Sequence, residues 1–178
     1  MKTGKLLRRF LFPQPVTSLY YLVKYGAKMS WRAEVDLTPN LRFGRKCTVS
    51  SFTKIKALSG PLTIGDRSGF ATGCFVSTGG GGIVIGDHFI CGPNVNIVAS
   101  NYDYSVMDVH LEDLEGSSKG IRIGRNVWIG GGSSVVDGAE IGDNTIVVAG
   151  SLVNRKYPPN VILQGSPAKV IMKRSKGE

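Results

Sequence analysis

The chain has 178 residues, of which 42% are hydrophobic and 20% charged, and its formal net charge is +9. This length supports one domain with a buried core and excludes two large domains. No run of residues approaches the about 20 apolar residues of a membrane span, and Arg8, Arg9 and Pro13 interrupt the apolar run near the start. Neither a membrane span nor a signal peptide is therefore predicted.

The positive charge lies mainly at the two ends of the chain. Residues 1–40 carry seven basic and two acidic side chains, and residues 154–178 carry six basic and one acidic. Such ends favour an anionic partner, either a phosphorylated cofactor or a membrane surface. Nucleic acid is disfavoured, because there is no recognisable nucleic-acid-binding motif and only 8% of residues are aromatic. An odd number of cysteines without metal-binding spacing predicts reduced core or corner thiols in a cytosolic protein: Cys47, Cys74 and Cys91.

Residues 1–40 are predicted to form an N-terminal extension. The segment LLRRFLFPQPVTSLYYLVKYGAKM mixes aromatic with basic residues, which indicates one short helix, or two broken at Pro13 and Pro15. We expect it to cap the open end of the domain that follows, where strands and apolar side chains would otherwise be exposed. The alternative is peripheral contact with an anionic membrane through the basic N-terminus.

From residue 41 onward, apolar residues recur at every sixth position in triplets. The triplets are Phe43–Val49–Ile55, Ile64–Phe70–Val76, Ile85–Cys91–Ile97, Ile123–Ile129–Val135 and Ile141–Val147–Val153. Neither a helix, with period 3.6, nor an open sheet, with period 2, explains this spacing. A coil of three short strands per turn does, because each sixth residue then points to the axis of a triangular prism and stacked turns bury one column.

Small residues fill the corners that this coil requires. The residue after an inward-pointing position is often glycine, which we interpret as freedom to adopt corner backbone conformations: Gly44, Gly65, Gly86, Gly92, Gly124, Gly130 and Gly142. When each inward-pointing residue is counted as the first of a six-residue repeat, the fifth residue is usually small or β-branched.

The period is interrupted once, between Ile97 and Ile123. Residues 100–120 hold five carboxylates and His110, one of two histidines in the chain. The coil has smooth flanks, so a projecting segment here predicts the wall of a site. A solvated acidic loop without chemistry is the alternative.

Two stretches carry a specific resemblance to a known family. IGRNVWIGGGSSVVDGAEIGDNTIVVAGSLV and the following NRKYPPNVILQGSPAKVI resemble the hexapeptide-repeat acyltransferases. The branch most similar contains galactoside, maltose and xenobiotic acetyltransferases and the O-acetyltransferases of surface polysaccharides. Across roughly residues 40–173, the resemblance implies an all-β fold, a left-handed parallel β-helix. It also implies a homotrimer with acetyl-CoA as co-substrate between neighbouring subunits.

The resemblance implies site residues, with one departure at the catalytic base. The family places a histidine where Asn101-Tyr102-Asp103-Tyr104-Ser105 has Tyr102. A free tyrosine titrates near 10 and is a poor base at neutral pH. His110 could act as the base instead, Tyr102 could only position the acceptor, Asp103 could be the base, or the site could be inactive.

The cofactor side follows the family motifs more closely. The pantetheine arm would run along Gly131 and Ala149, and Asn154 and Arg155 would follow on the same edge of the coil. Lys169 and Lys173 occupy the basic positions after G-x-P-A, where they would meet the nucleotide phosphates. The asparagine that binds sugar in the galactoside branch is replaced near Cys74, so a galactoside acceptor is not supported.

These features predict a cytoplasmic acetyl-CoA-dependent O-acetyltransferase. Its acceptor would be a sugar or surface-polysaccharide precursor, reached in the cytoplasm or at the inner face of the membrane. The alternative is a non-catalytic or weakly active trimeric scaffold. Carbonic anhydrases of the same fold need three zinc-binding histidines, and two histidines, His88 and His110, cannot supply them, so no metal is expected. His88 is interpreted as a surface or intersubunit residue. Sugar-nucleotide N-acyltransferases often carry an N-terminal nucleotide-binding domain that 40 residues cannot provide.

Overall fold

The computed structural model describes residues 14–103, 105 and 107–175. The chain winds as a coil whose short strands stack in parallel into three sheets, so the predicted three-strand repeat is confirmed. The inward positions of all five triplets are buried, with exposed fractions of 4% or less. These side chains form one continuous hydrophobic column along the coil axis.

The sheets are named here in the order in which the chain visits them. Sheet A consists of β1 (Lys28–Met29), β4 (Thr48–Val49), β7 (Gly69–Phe70), β10 (Ile90–Cys91), β15 (Trp128–Ile129), β18 (Ile146–Val147), β21 (Val161–Gly165) and β22 (Ala168–Lys173). Sheet B consists of β2 (Glu34–Val35), β5 (Lys54–Lys56), β8 (Phe75–Ser77), β11 (Asn96–Val98), β16 (Ser134–Val136) and β19 (Leu152–Val153). Sheet C consists of β3 (Leu41–Phe43), β6 (Leu62–Ile64), β9 (Ile83–Ile85), β14 (Ile121–Ile123), β17 (Glu140–Ile141) and β20 (Lys156–Tyr157).

Three rows of corner turns form the edges of the prism. The AB edge joins sheet A to sheet B through residues 30–33, 50–53, 71–74, 92–95, 130–133 and 148–151. The BC edge joins sheet B to sheet C through residues 36–40, 57–61, 78–82, 99–120, 137–139 and 154–155. The CA edge joins sheet C to sheet A through residues 44–47, 65–68, 86–89, 124–127, 142–145 and 158–160.

The glycines after the inward positions have a different cause from the one expected. None of these seven has a positive φ. An added Cβ at Gly65 would instead lie 2.5 Å from the backbone nitrogen of Asp87 in the next coil, and one at Gly130 would lie 2.4 Å from that of Ala149. The expectation of special backbone conformations was wrong, because stacked backbones approach too closely at these points for any side chain. Positive φ occurs elsewhere in the corners, for example at Asn126 and Asn144.

The coil begins before residue 41. Strands β1 and β2 pair in parallel with β4 and β5, so residues 28–35 already belong to sheets A and B. Met29 and Val35 keep the spacing of six, but the corner at 36–40 is longer and hides the repeat. At the other end, β22 folds back antiparallel on β21 and extends sheet A.

Helix α1 (Gln14–Tyr25) packs against strands β1 and β2 of the first coil. The buried Tyr21 ring packs 5.2 Å from that of Phe43, and its hydroxyl donates a hydrogen bond to the Asp36 carbonyl at 2.8 Å. Pro13, one of the two predicted breaks, lies outside the described residues. Helix α1 has 12 residues, which is too few to cross a bilayer. No helix among the described residues is long and apolar enough to do so.

The three cysteines are buried and unpaired, in agreement with the expected core or corner thiols. The Sγ atoms of Cys74 and Cys91 lie 3.5 Å apart. This contact lowers the pKa of the Cys74 thiol to about 7. The same contact, together with burial, raises the pKa of the Cys91 thiol.

Candidate active site

The interruption of the repeat forms a projecting loop on the BC edge. The chain leaves the coil after β11 and returns at β14. Two short antiparallel strands, β12 (Asn101–Tyr102) and β13 (Gly116–Ser117), form its stalk. The Asp103 amide extends this pairing by donating to the Glu115 carbonyl at 3.0 Å. A single 3₁₀ turn, Leu111–Asp113, lies in the outer part of the loop.

The base of the loop is fixed to the coils on both sides. The Ser118 hydroxyl donates to the Ala99 carbonyl and accepts a bond from the Gly81 amide at 3.0 Å. On the other side, the Asp137 carboxylate accepts the amides of Lys119 at 2.9 Å and Gly120 at 2.8 Å. The loop therefore projects from a rigid corner, which is how a binding loop is usually positioned.

Tyr102 and His110 occupy different parts of this loop. Tyr102 lies in the stalk, paired with Gly116, and its side chain is 60% exposed. His110 lies at the start of the 3₁₀ turn, where its carbonyl accepts the Asp113 amide at 2.9 Å, and its side chain is exposed. Both side chains are accessible to a bound molecule.

Asp103, the third candidate base, is engaged locally. Its carboxylate accepts bonds from the Ser105 hydroxyl at 2.6 Å and the Ser105 amide at 3.1 Å. These two bonds lower the pKa of Asp103. A less basic carboxylate is a weaker proton acceptor, so this geometry favours His110 or Tyr102 over Asp103.

Gly131 and Ala149 lie on the AB edge, one coil apart. The Gly150 amide donates to the Gly131 carbonyl at 3.0 Å, and an added Cβ at Gly131 would lie 3.1 Å from the Pro93 carbonyl oxygen. The three corners at 93, 131 and 149 thus form a narrow strip of small residues and backbone. Such a strip lets an extended thiol arm lie flat against peptide groups.

Lys169 and Lys173 lie at opposite ends of β22. Lys169 pairs with Gln164 near the AB edge, and Lys173 pairs with Val161 near the CA edge. Both side chains are exposed. The two lysines are four residue steps apart along an extended strand, a distance of about 13 Å. Only Lys169 therefore shares an edge with Gly131 and Ala149.

Asn154 and Arg155 lie on the BC edge, below the base of the loop. Both are exposed and follow β19 at the corner into β20. The expectation that they follow the same edge as Gly131 and Ala149 was wrong, because strand β19 of sheet B lies between Ala149 and Asn154 and places these residues on two different edges. The chain crosses this sheet in six residue steps, from Gly131 to Asp137, a distance of up to about 20 Å. Within one copy of the chain, the structure does not bring the loop and the AB strip together.

The second histidine is remote from the loop. His88 is exposed on the CA edge, with φ of 58°. Within the described ranges, no group of three or more His, Cys, Asp or Glu side chains is arranged to hold a metal ion.

Sequence reasoning did not identify Asp137 as the residue that fixes the loop. Its partners lie 17 and 18 residues away in sequence and meet it only because one coil stacks on the next. The available signal was the Asp-Gly pair in VVDGAE, which marks a tight corner directly after the loop returns.

Comparison with known proteins shows what this chain is similar to. Residues 120–155 match the model of the bacterial transferase hexapeptide repeat (six repeats). A provisionally named acetyltransferase of Saccharomyces cerevisiae is 42% identical over 112 residues, which is 63% of this chain and 56% of the relative. Galactoside O-acetyltransferase of Escherichia coli is 39% identical over 92 residues, 50% of this chain and 43% of the relative. The chain spans about half the length of the curated relatives it matches.

Solved structures agree on the fold. An N-acyltransferase from Bacillus cereus, in complex with dTDP and 3-hydroxybutyryl-CoA, superposes with a TM-score of 0.76 at 19% identity. The match covers 89% of this chain and 88% of that one. The chain is a left-handed β-helix built from hexapeptide repeats. Its predicted resemblance to the hexapeptide-repeat acyltransferases is confirmed.

Proposed function

We propose that this protein is an acetyl-CoA-dependent O-acetyltransferase that acts on a hydroxyl of a sugar or surface-polysaccharide precursor. The observation that carries the proposal is the rigidly based loop on the BC edge together with the strip of small residues on the AB edge. The loop offers the proton-transfer groups and the strip offers a surface for the thiol arm. The relatives named as acetyltransferases support the same reaction.

The division between two edges favours a homotrimer. In a closed ring of three copies, each interface joins two different surfaces, so the BC edge of one copy can face the AB edge of the next. A cofactor in that groove would meet Gly131, Ala149 and Lys169 of one copy. It would meet Asn154, Arg155 and the loop of the other. Lys173, near the third edge, would contribute only long-range attraction to the phosphates.

The proposed chemistry is direct acetyl transfer. A loop base removes the proton from the acceptor hydroxyl as its oxygen attacks the thioester carbonyl. Peptide amides at the groove stabilise the resulting oxyanion, and CoA leaves as the thiol after it accepts a proton. We assign the base to His110, with Tyr102 positioning the acceptor. We also propose that the reaction takes place in the cytoplasm, where acetyl-CoA is available.

One observation favours a second function. Tyr102 stands where the family motif has histidine, and its exposed side chain lies in the loop stalk. If no other group replaces that histidine, the protein is a trimeric scaffold that binds CoA without turnover.

The test is CoA release from acetyl-CoA with a panel of hydroxyl and amino sugars. His110→Ala should lower turnover by about 10²–10⁴-fold, the usual range for loss of a general base. His88→Ala is the matched control and should leave turnover unchanged. If His110→Ala has no effect and Tyr102→His raises turnover, the site has decayed. Release that requires amino rather than hydroxyl sugars would assign N-acetylation instead.

A further inference from the structure

Three exposed side chains meet at the N-terminal end of the AB edge. Trp31 and Phe52 are 66% and 59% exposed, and they lie in the AB corners of the first two coils. The central carbon of the Arg32 guanidinium is 4.8 Å from the centre of the Trp31 ring and 5.8 Å from that of the Phe52 ring. We call Trp31, Arg32 and Phe52 the aromatic patch.

Phe52 occupies a corner position that elsewhere holds a different kind of residue. Its φ is 63°, in the left-handed region that bulky side chains rarely adopt. In the later coils, the AB-corner residues with positive φ are all glycine or asparagine, namely Gly73, Asn94, Gly132 and Gly150. Because the Phe52 ring is exposed, core packing does little to offset the backbone cost. A large ring held in this position indicates contact with another molecule.

Arg32 indicates the charge of that molecule. Among the described residues, no carboxylate forms an ion pair with its guanidinium. The corner residues of the AB edge include no Asp or Glu. A guanidinium stacked on aromatic rings keeps its N–H donors available, and a carboxylate or phosphate can accept two of them at once. The patch therefore suits a ligand that carries both a ring and an oxyanion.

The aromatic patch lies on the same edge as the strip proposed for the cofactor. The loop leaves the coil that contains the Pro93 corner, and the patch lies beyond this corner in the direction opposite to the cofactor strip. Stacked strands are about 4.8 Å apart, which places Phe52 about 10 Å and Trp31 about 14 Å from Pro93 along the coil axis. The corner between them, residues 71–73, has small side chains that leave the edge open. These distances exceed one sugar ring, so the patch is placed to meet a neighbouring unit.

We propose that the aromatic patch binds an anionic sugar unit of the acceptor, next to the unit whose hydroxyl is acetylated. The Trp31 and Phe52 rings pack against the apolar face of that unit, and Arg32 binds its carboxylate or phosphate oxygens. This inference rests on the function proposed above. It narrows the acceptor to an acidic saccharide of two or more units.

The experiment is calorimetric titration of the full chain without acetyl-CoA, so that binding is measured apart from turnover. The probes are trigalacturonate, which carries carboxylates, maltotriose 1-phosphate, which carries a phosphate, and maltotriose, which is neutral and of the same length. We expect an acidic probe to bind about tenfold or more tightly than maltotriose, because its bonds to Arg32 are charge-assisted. The acidic probe that binds more tightly identifies the anion.

Two arginine variants test the charge. Arg32→Gln should abolish the preference for the acidic probe over maltotriose. The matched control is Arg42→Gln, which removes the same charge from an exposed position on sheet C. We expect the control variant to keep the preference of the unaltered protein.

Two further variants test the rings. Trp31→Ala should weaken binding of the acidic probe by about five- to tenfold. Phe52→Asn places at this corner the residue type found at the equivalent Asn94, which tolerates a positive φ. Its melting temperature should stay the same or rise, while binding of the acidic probe weakens about fivefold. A ring that served only the fold would give the opposite pair of results.

Three results would overturn the proposal. The first is that neither acidic probe binds more tightly than maltotriose. The second is that Arg32→Gln weakens binding of CoA as much as binding of the acidic probe, which would assign the patch to the nucleotide. The third is that Phe52→Asn lowers the melting temperature or changes the oligomeric state in light scattering, which would mean that protein covers the ring. None of these results would refute the proposed acetyl transfer, which CoA release with single-sugar acceptors tests separately.

Discussion

Asp137 offers the sharpest test of the link between the coil and the loop. Its carboxylate accepts hydrogen bonds from two backbone amides, those of Lys119 and Gly120, at the returning end of the loop. Gly120 is buried. Asp137→Ala leaves the Gly120 amide without a partner, which costs about 1.5–3 kcal/mol for a bond to a charged group. The Lys119 amide is nearer to solvent and adds less. We therefore expect the free energy of unfolding to fall by about 2–3 kcal/mol.

The functional consequence should exceed the loss of stability. Without its anchor the loop base can move, so CoA release should fall at least tenfold under conditions where the variant remains folded. Asp137→Asn keeps one acceptor oxygen. Its stability and its rate of CoA release should therefore lie between those of the unaltered protein and those of Asp137→Ala. Urea unfolding at fixed protein concentration and the CoA-release assay measure the two effects.

The control for Asp137 is Asp143 on the CA edge. Its carboxylate accepts the Arg125 amide at 2.8 Å and the Arg125 guanidinium at 2.9 Å, in an equivalent corner without a loop. Asp143→Ala should lower stability by an equal or smaller amount and leave CoA release within twofold. Equal losses of turnover in both variants would refute the anchoring role of Asp137.

Three further predictions concern the cofactor, the corners and pH. Lys169→Ala should weaken CoA binding in calorimetry by about five- to tenfold, equivalent to about 1–1.4 kcal/mol, and Lys173→Ala by less than threefold. Equal effects would mean that the nucleotide does not follow the AB edge. Gly65→Ala should lower the free energy of unfolding by about 2–3 kcal/mol through overpacking, whereas Gly80→Ala, with nothing within 4 Å of the added Cβ, should be nearly neutral. The Arg125 amide and guanidinium lower the pKa of Asp143, so its stabilising effect is present above its ordinary pKa of 3.8 and lost as the pH falls below it. The melting temperatures at pH 6 and pH 3 should therefore differ less in Asp143→Asn than in the unaltered protein.

The coil was predictable because its signal lies in the side chains themselves. A residue that points to the axis must be apolar in every turn, and the spacing of six persists wherever the turns are regular. The first turn, residues 28–35, was not predicted as part of the coil, because it offers only two inward positions before a longer corner. The glycines were located correctly but misinterpreted, because the distance between stacked backbones is not encoded in the order of residues along one turn.

The division of the proposed site residues between two edges could have been read from the sequence. Each position in a triplet corresponds to one sheet, so Gly131, two residues after the inward Ile129, falls on the AB edge. Asn154 directly follows the inward Val153 and falls on the BC edge. The anchoring of the loop by Asp137 could not be read in this way, since it depends on which residues a stacked neighbour presents.

The central claim, that two copies share each site, is tested most directly by mixing two inactive variants. One variant has residues 104–114 replaced by a short glycine linker and so lacks the outer loop. The other, Ala149→Trp, has the exposed AB strip blocked. The two variants are refolded together in equal amounts. In random rings each interface has about a one-in-four chance of pairing an intact loop with an intact strip. We predict recovery of about a quarter of the original CoA-release activity. No recovery, although light scattering shows that mixed trimers have formed, would contradict a shared site.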